Sequence, residues 1–151
     1  MHRKILPMAL MYANGGEPIV GRTRMQKLVF LMEQHFKNEK DGLPEIPDSY
    51  SFMAYDYGPF SKELYSDLDY FIQEDMVTEE REPFGNGKTK YIYHIEDPGI
   101  EFVEHQLGKE AVKEILDYAK KLKQEHNNKP LPDLIKEVYS RYPKYAENSV
   151  Y

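Results

Sequence analysis

The chain has 151 residues, of which 40% are hydrophobic and 30% charged, and its formal net charge is −6 at pH 7. It contains no cysteine, which excludes disulfides, thiolate metal sites and cysteine nucleophiles. Length and composition predict one domain over residues 1–151 without a membrane span, and the lack of cysteine favours a cytoplasmic location. The acidic balance weighs against nucleic-acid binding, which usually leaves a basic footprint.

Apolar periodicity predicts two helices in the first part of the chain. Residues 3–13 space their apolar side chains for a buried helix face, which Asn14-Gly15-Gly16 ends, and 17–21 form a connector. Residues 22–38 place apolar side chains on one stripe of a second helix. Glycine and proline then predict a loop over 41–49, and an aromatic, partly alternating segment predicts a short strand within 50–57.

The second part of the chain combines helices with a hairpin signal. Gly58-Pro59 predicts a turn, with Pro59 in the first turn of a helix whose buried stripe over 60–74 begins at Phe60. Strand-like segments 77–83 and 89–95 flank Asn86-Gly87, which favours a tight β-turn. Further helices are predicted over 98–107, 109–126 and 131–142.

This order of elements is typical of a winged helix. A helix that leads directly into a two-stranded hairpin has the positions of a recognition helix, here 60–74, and a wing, with its tip at 84–88. We therefore expect an α+β protein, mainly α with a small β-hairpin: a winged helix-turn-helix core over about 3–107 and extra C-terminal helices over about 108–151. The extension either covers the body or pairs across a two-fold axis, and analogy with winged-helix regulators favours a homodimer.

Two segments resemble a known family. Residues 20–28, VGRTRMQKL, are similar to the GRTRLQKL opening of an archaeal and bacterial group, and residues 55–65, YDYGPFSKELY, are similar to its YGPYSxxL segment. Over about 5–107 the chain resembles the Panacea domain of SocA-like antitoxins and phage-associated proteins, and more distantly the PadR-type winged-helix regulators. In the continuation over 68–77, Asp75 and Met76 replace the usual Gly-Leu. The resemblance implies a winged helix that neutralises a toxin or regulates transcription, and it supplies no catalytic residue.

DNA binding is the first functional hypothesis. Segment 21–40 holds five basic and two acidic residues, and its first arginines stand at a helix start, where backbone N–H groups also favour phosphate. Segment 60–75, which includes the expected recognition helix, has one lysine and five carboxylates, which oppose a phosphate backbone. The alternative is that the basic cluster is only a solvated helix face. The predicted nucleic-acid contacts are Arg22, Arg24, Lys27, Ser61, Lys62, Tyr65, Ser66, Lys88 and Lys90.

A protein-binding antitoxin or adaptor is the second hypothesis. The chain has 13 Tyr and 7 Phe, more than its core needs, and Tyr is favoured at interfaces. The predicted interface residues are Tyr55, Tyr57, Asp67 and Asp69. The alternative for the tyrosines is that Tyr50, Tyr55, Tyr57 and Tyr65 pack under the loop 41–49.

Catalysis has little support in the sequence. The five histidines are scattered, and Glu101 stands where an inverted zinc-protease motif ending at His105 would need a histidine. Gly87-Lys88-Thr89 ends like a phosphate-binding loop, but the first glycine of that motif would fall at Glu82. We therefore expect a protein that is not an enzyme, with no catalytic residue, metal or cofactor.

Overall fold

The computed structural model describes residues 2–38 and 49–150 and has an α+β architecture, with six α-helices and two small antiparallel sheets over these ranges. Lys40 and all but the last residue of the predicted loop 41–49 lie outside them. In this part of the chain, every helix is too short or too polar to cross a membrane. The elements are α1 (Ile5–Gly16), β1 (Ile19–Val20), α2 (Arg22–Asn38), β2 (Met53–Tyr55), β3 (Gly58–Phe60), α3 (Lys62–Gln73), β4 (Val77–Pro83), β5 (Thr89–Ile95), α4 (Asp97–Glu104), α5 (Glu110–His126), α6 (Leu131–Arg141) and a 3-10 helix (Pro143–Ala146).

The core surrounds α1, which is buried along most of its length. This helix is apolar on nearly all sides, so it packs inside, in contact with α2, α4, α5 and β5. The apolar stripes of α5 and α6 join the same core, with Val112, Ile115, Ala119, Leu122, Leu134 and Val138. The C-terminal helices thus cover the body, and their pairing across a two-fold axis stays a prediction.

The hairpin predicted around Asn86-Gly87 is confirmed. β4 and β5 pair from Val77↔Ile95 to Pro83↔Thr89, and Asn86 and Gly87 have φ of 50° and 71°, the left-handed region that these residues tolerate. β1 adds a third strand by pairing with β5, so the sheet order is β1-β5-β4. The connector predicted over 17–21 thus contains a strand, whose two residues are too few to show an alternating pattern.

The segment before α3 forms a second hairpin and not a helix start. β2 and β3 pair Met53 with Phe60 and Tyr55 with Gly58, so the placement of Pro59 and Phe60 in the helix was wrong. Gly58 has a φ of 101°, and a Cβ there would lie 2.9 Å from the ring of Tyr139. Only glycine fits this turn without strain, and it lets β3 approach α6 closely.

The start of α3 is set by a contact with α2. The buried amide of Gln26 donates to the Ser61 carbonyl (3.0 Å) and accepts from the Ser61 N–H (2.9 Å), which holds Ser61 in an extended conformation. The Ser61 hydroxyl then accepts from the N–H of Leu64 (3.4 Å), so it caps the helix. A side chain distant in sequence therefore decides where α3 begins.

Candidate interaction surface

Two of the predicted phosphate contacts are buried. Arg24 is 9% exposed and donates through Nη1 to the carbonyl of His126 at the end of α5 (2.7 Å). Lys27 is 3% exposed and donates through Nζ to the carbonyl of Pro59 (3.0 Å). Neither cation lies on the outer surface, so the prediction that they contact duplex phosphate is wrong. Both instead satisfy carbonyl groups of elements that pack against α2.

Ser61 and Asp67 are also buried. Ser61 caps α3, as described above, and is fully inaccessible. Asp67 is 5% exposed and accepts hydrogen bonds from Arg3 Nε (3.0 Å) and the Tyr50 hydroxyl (2.7 Å). Burial and this bond raise the pKa of Tyr50. The roles predicted for Ser61 at base edges and for Asp67 at an interface are therefore wrong, because both side chains hold the fold together.

Five of the remaining predicted contacts, on α3 and the β4–β5 hairpin, are exposed, whereas Tyr65 of α3 is partly buried. Lys62, Ser66 and Asp69 are exposed on α3, and Lys88 and Lys90 are exposed on the hairpin. The hairpin strands and tip also carry three glutamates, and Lys90 Nζ lies 3.8 Å from one of them, Glu82. The hairpin has three basic side chains in total, one arginine and two lysines, and they balance the three carboxylates. The hairpin therefore adds no net positive charge.

A cleft of about 270 Å³ opens where the start of α2 faces the β2–β3 hairpin and the start of α3. We call it the aromatic cleft. It brings together Arg22, Lys27 and Tyr65 from the DNA hypothesis with Tyr55 and Tyr57 from the protein hypothesis. Its lining residues are Arg22, Thr23, Gln26, Lys27, Tyr55, Tyr57, Gly58, Phe60 and Tyr65.

Aromatic rings form one side of this cleft. The Phe60 ring lies 5.1 Å from that of Tyr55 and 5.3 Å from that of Tyr65, between centroids. Tyr55 and Tyr57 remain 49% and 45% exposed, and Met53 on the same hairpin is 53% exposed. We call these three side chains the hairpin patch. Neighbouring large apolar groups left in water are typical of an interaction surface.

Arg22 and Lys27 give the aromatic cleft positive charge. The Arg22 guanidinium stacks over the ring of Tyr91 (3.7 Å to the centroid), and its Nη2 lies 3.6 Å from a carboxylate oxygen of Glu79. Burial lowers the pKa of Lys27 to about 7, because removal from water penalises the ammonium form. The lining residues include no carboxylate. The lining of the cleft thus carries positive charge, which Glu79 offsets in part from beside Arg22.

A larger cavity, of about 510 Å³, lies at the end of α1. Ile95, Ile100 and Leu116 contribute to its apolar wall, and Asp117 and Lys120 contribute opposite charges. It contains none of the predicted site residues. Among the residues described by the structure, no group of three His, Asp or Glu side chains can hold a metal ion.

The sequence reasoning missed Thr23, Gln26 and Phe60 as parts of one site. A signal for them was present, because segments 20–28 and 55–65, which carry the family resemblance, contain all the residues that line the aromatic cleft. The two segments are distant in sequence and face each other across the cleft. Comparisons of the chain with family models, curated proteins and solved structures found no match.

Proposed function

We propose that this chain is a non-enzymatic winged-helix protein that binds a protein partner, in the manner of an antitoxin or adaptor, through the aromatic cleft and the hairpin patch. The observation that carries the proposal is the half-exposed pair Tyr55 and Tyr57 beside a buried cation. Aromatic side chains that line a concave site are the usual anchors of protein interfaces.

The connectivity supports the winged-helix part of the proposal. β1 precedes α2, α3 leads into the β4–β5 hairpin, and the sheet order is β1-β5-β4. In this reading α3 is the recognition helix and the β4–β5 hairpin is the wing. The β2–β3 hairpin lies between α2 and α3, so the aromatic cleft occupies the region where a helix-turn-helix has its turn.

The charge of α3 favours a protein partner over DNA. The helix holds one lysine and three carboxylates, of which Asp69 is exposed. Two of the cations expected to offset this charge, Arg24 and Lys27, are buried. A phosphate backbone close to α3 would therefore meet more negative than positive charge.

The proposal is tested by affinity capture from cells of the source organism with the wild type and the double variant Tyr55→Ala/Tyr57→Ala. We expect a protein that the wild type retains and the double variant loses, with affinity for the purified partner at least about tenfold weaker by calorimetry. The matched control is Tyr70→Ala, because Tyr70 is also 45% exposed but lies outside the aromatic cleft. Equal binding by the wild type and the double variant would contradict the proposal.

DNA binding is the second candidate, supported by the exposure of Lys62, Ser66, Lys88 and Lys90. It predicts binding to duplex DNA at low salt, with an affinity that falls as salt rises by a logarithmic slope of about −0.9 for each phosphate contact. If Lys62 and Lys88 are both replaced by Gln, two phosphate contacts are lost, and the salt dependence should become less steep by roughly twice the slope of one contact. No binding at low salt would remove this candidate.

A further inference from the structure

We infer that the aromatic cleft is a carboxylate site, and that the partner inserts an acidic group carried next to an aromatic or aliphatic side chain. This inference rests on the proposed function and names the chemistry of the partner segment. It follows from the positive charge, the helix end, the rings and the size of the cleft.

The buried amine of Lys27 is the first feature that points to an anionic ligand. Protonated lysine has three N–H donors, and Nζ of Lys27 makes one hydrogen bond, to the carbonyl of Pro59. No carboxylate lines the cleft, so the protonated form of Lys27, which its pKa of about 7 allows at neutral pH and below, has no counter-charge there. Buried charges are normally paired, and a carboxylate from a partner would provide the missing charge.

The start of α2 points to the same sign of ligand. The N–H of Met25 makes the first hydrogen bond of the helix, to the carbonyl of Gly21 (3.1 Å), so the N–H groups of Arg22 and Thr23 precede the hydrogen-bonded ladder. Both residues line the cleft. N–H groups that precede the ladder and the dipole of this 17-residue helix favour an anion. The helix end thus acts together with Arg22 and Lys27.

Size and surroundings distinguish a carboxylate from the backbone of a nucleic acid. The cleft volume of about 270 Å³ is just below the range of ligand pockets, which begins at about 300 Å³, so it accommodates one side chain or a small acid. Glu79 lies beside Arg22, and Glu63 stands in the first turn of α3. These carboxylates repel a polyanion but leave room for one acidic group, whose apolar neighbour would contact Tyr55 and Phe60.

The inference is tested with two ligands of nearly the same shape, N-acetyl-phenylalanine, which has a carboxylate, and N-acetyl-phenylalaninamide, which has a neutral amide in its place. Their binding is followed by ¹⁵N-¹H NMR titration of the full chain at pH 6.5. We expect saturable shifts confined to residues 21–28 and 55–66 for the acid, with at least about tenfold weaker binding of the amide, as a charge-assisted hydrogen bond implies. Equal binding of the two ligands, or shifts elsewhere, would overturn the inference.

A variant of Lys27 shows how much of the preference for the acid this side chain provides. Lys27→Met should reduce the ratio of the acid's affinity to the amide's affinity several-fold, leaving the part due to Arg22 and the helix end, whereas Lys120→Met, at the larger cavity, should leave the ratio unchanged. A preference in Lys27→Met as large as in the wild type would refute the role of Lys27. The ligand pair tests the site on the wild type even if this variant does not fold. Displacement of the acid by duplex DNA would show a nucleic-acid site and overturn the inference.

The outcomes also distinguish this inference from the proposed function. If partner capture depends on Tyr55 and Tyr57 but the acid shows no preference over the amide, the proposed function holds and the carboxylate site is wrong. If the acid binds the cleft but no protein is captured, the carboxylate site holds and protein binding is wrong.

Discussion

Replacement of Lys27 by Met tests whether burial lowers the pKa of this amine. The side chain is 3% exposed, and its hydrogen bond is to a carbonyl, not to a carboxylate. Met has a similar length and shape without the amine, so the substitution removes the ionisable group and leaves most of the packing. The free energy of unfolding of the two proteins should therefore depend differently on pH.

The magnitude follows from the pKa of Lys27, which is lowered from 10.5 to about 7 by burial. Between these values the unfolded chain binds a proton that the folded chain has released, so stability increases with pH. The penalty is complete below about pH 7 and disappears as pH approaches 10.5. From pH 7 to pH 9 the wild type should gain about 2 kcal/mol more than the variant, at 1.36 kcal/mol per pH unit of full linkage.

The assay is urea unfolding of both proteins at pH 7, 8 and 9. Lys123 is also buried, with a pKa lowered to about 8, but it is present in both proteins and its contribution cancels. Lys113→Met, which removes an exposed lysine of α5, serves as the matched control and should follow the wild type. If the stability curves of Lys27→Met and wild type run parallel from pH 7 to pH 9, burial does not lower the pKa of Lys27 and the reasoning is refuted.

Three further substitutions test the buried contacts, each by chemical denaturation. Asp67→Asn should destabilise the protein by about 3 kcal/mol, because it removes the charge from a buried hydrogen-bonded network. The control is Asp69→Asn, at an exposed position, which should change stability by less than about 0.5 kcal/mol. Equal effects of the two substitutions would contradict the burial of Asp67. Ser61→Ala should cost about 1 kcal/mol, as expected for loss of a helix cap, and no change would show that the cap is dispensable. Gly99→Ala should destabilise the protein by about 1–3 kcal/mol, since a Cβ would lie 2.5 Å from a backbone oxygen. Gly108→Ala should be neutral or slightly stabilising, because nothing lies within 4 Å of a Cβ there. A larger loss of stability in Gly108→Ala than in Gly99→Ala would refute the close packing of α4.

Local patterns were enough to locate most helices and the long hairpin. The apolar repeat of 109–126 predicts α5 within one residue of its start, and the turn at Asn86-Gly87 predicts both strands of the hairpin with their ends. These features depend on neighbours in sequence: the period of burial along a helix, and the tolerance of Asn and Gly for positive φ. The sequence therefore determined the α+β class and the order of most elements.

Only the tertiary structure decided which polar side chains are inside. Arg24 is buried because its guanidinium reaches a carbonyl 102 residues away, at the end of α5, and Lys27 is buried because β3 supplies the carbonyl of Pro59. The helical pattern of 22–38 does not show which of its basic side chains are buried and which are solvated. A long polar side chain is buried or exposed according to partners that are distant in sequence. For the same reason the aromatic cleft exists only after β2 and β3 have packed against α2, although every residue that lines it stands in two short segments of the sequence.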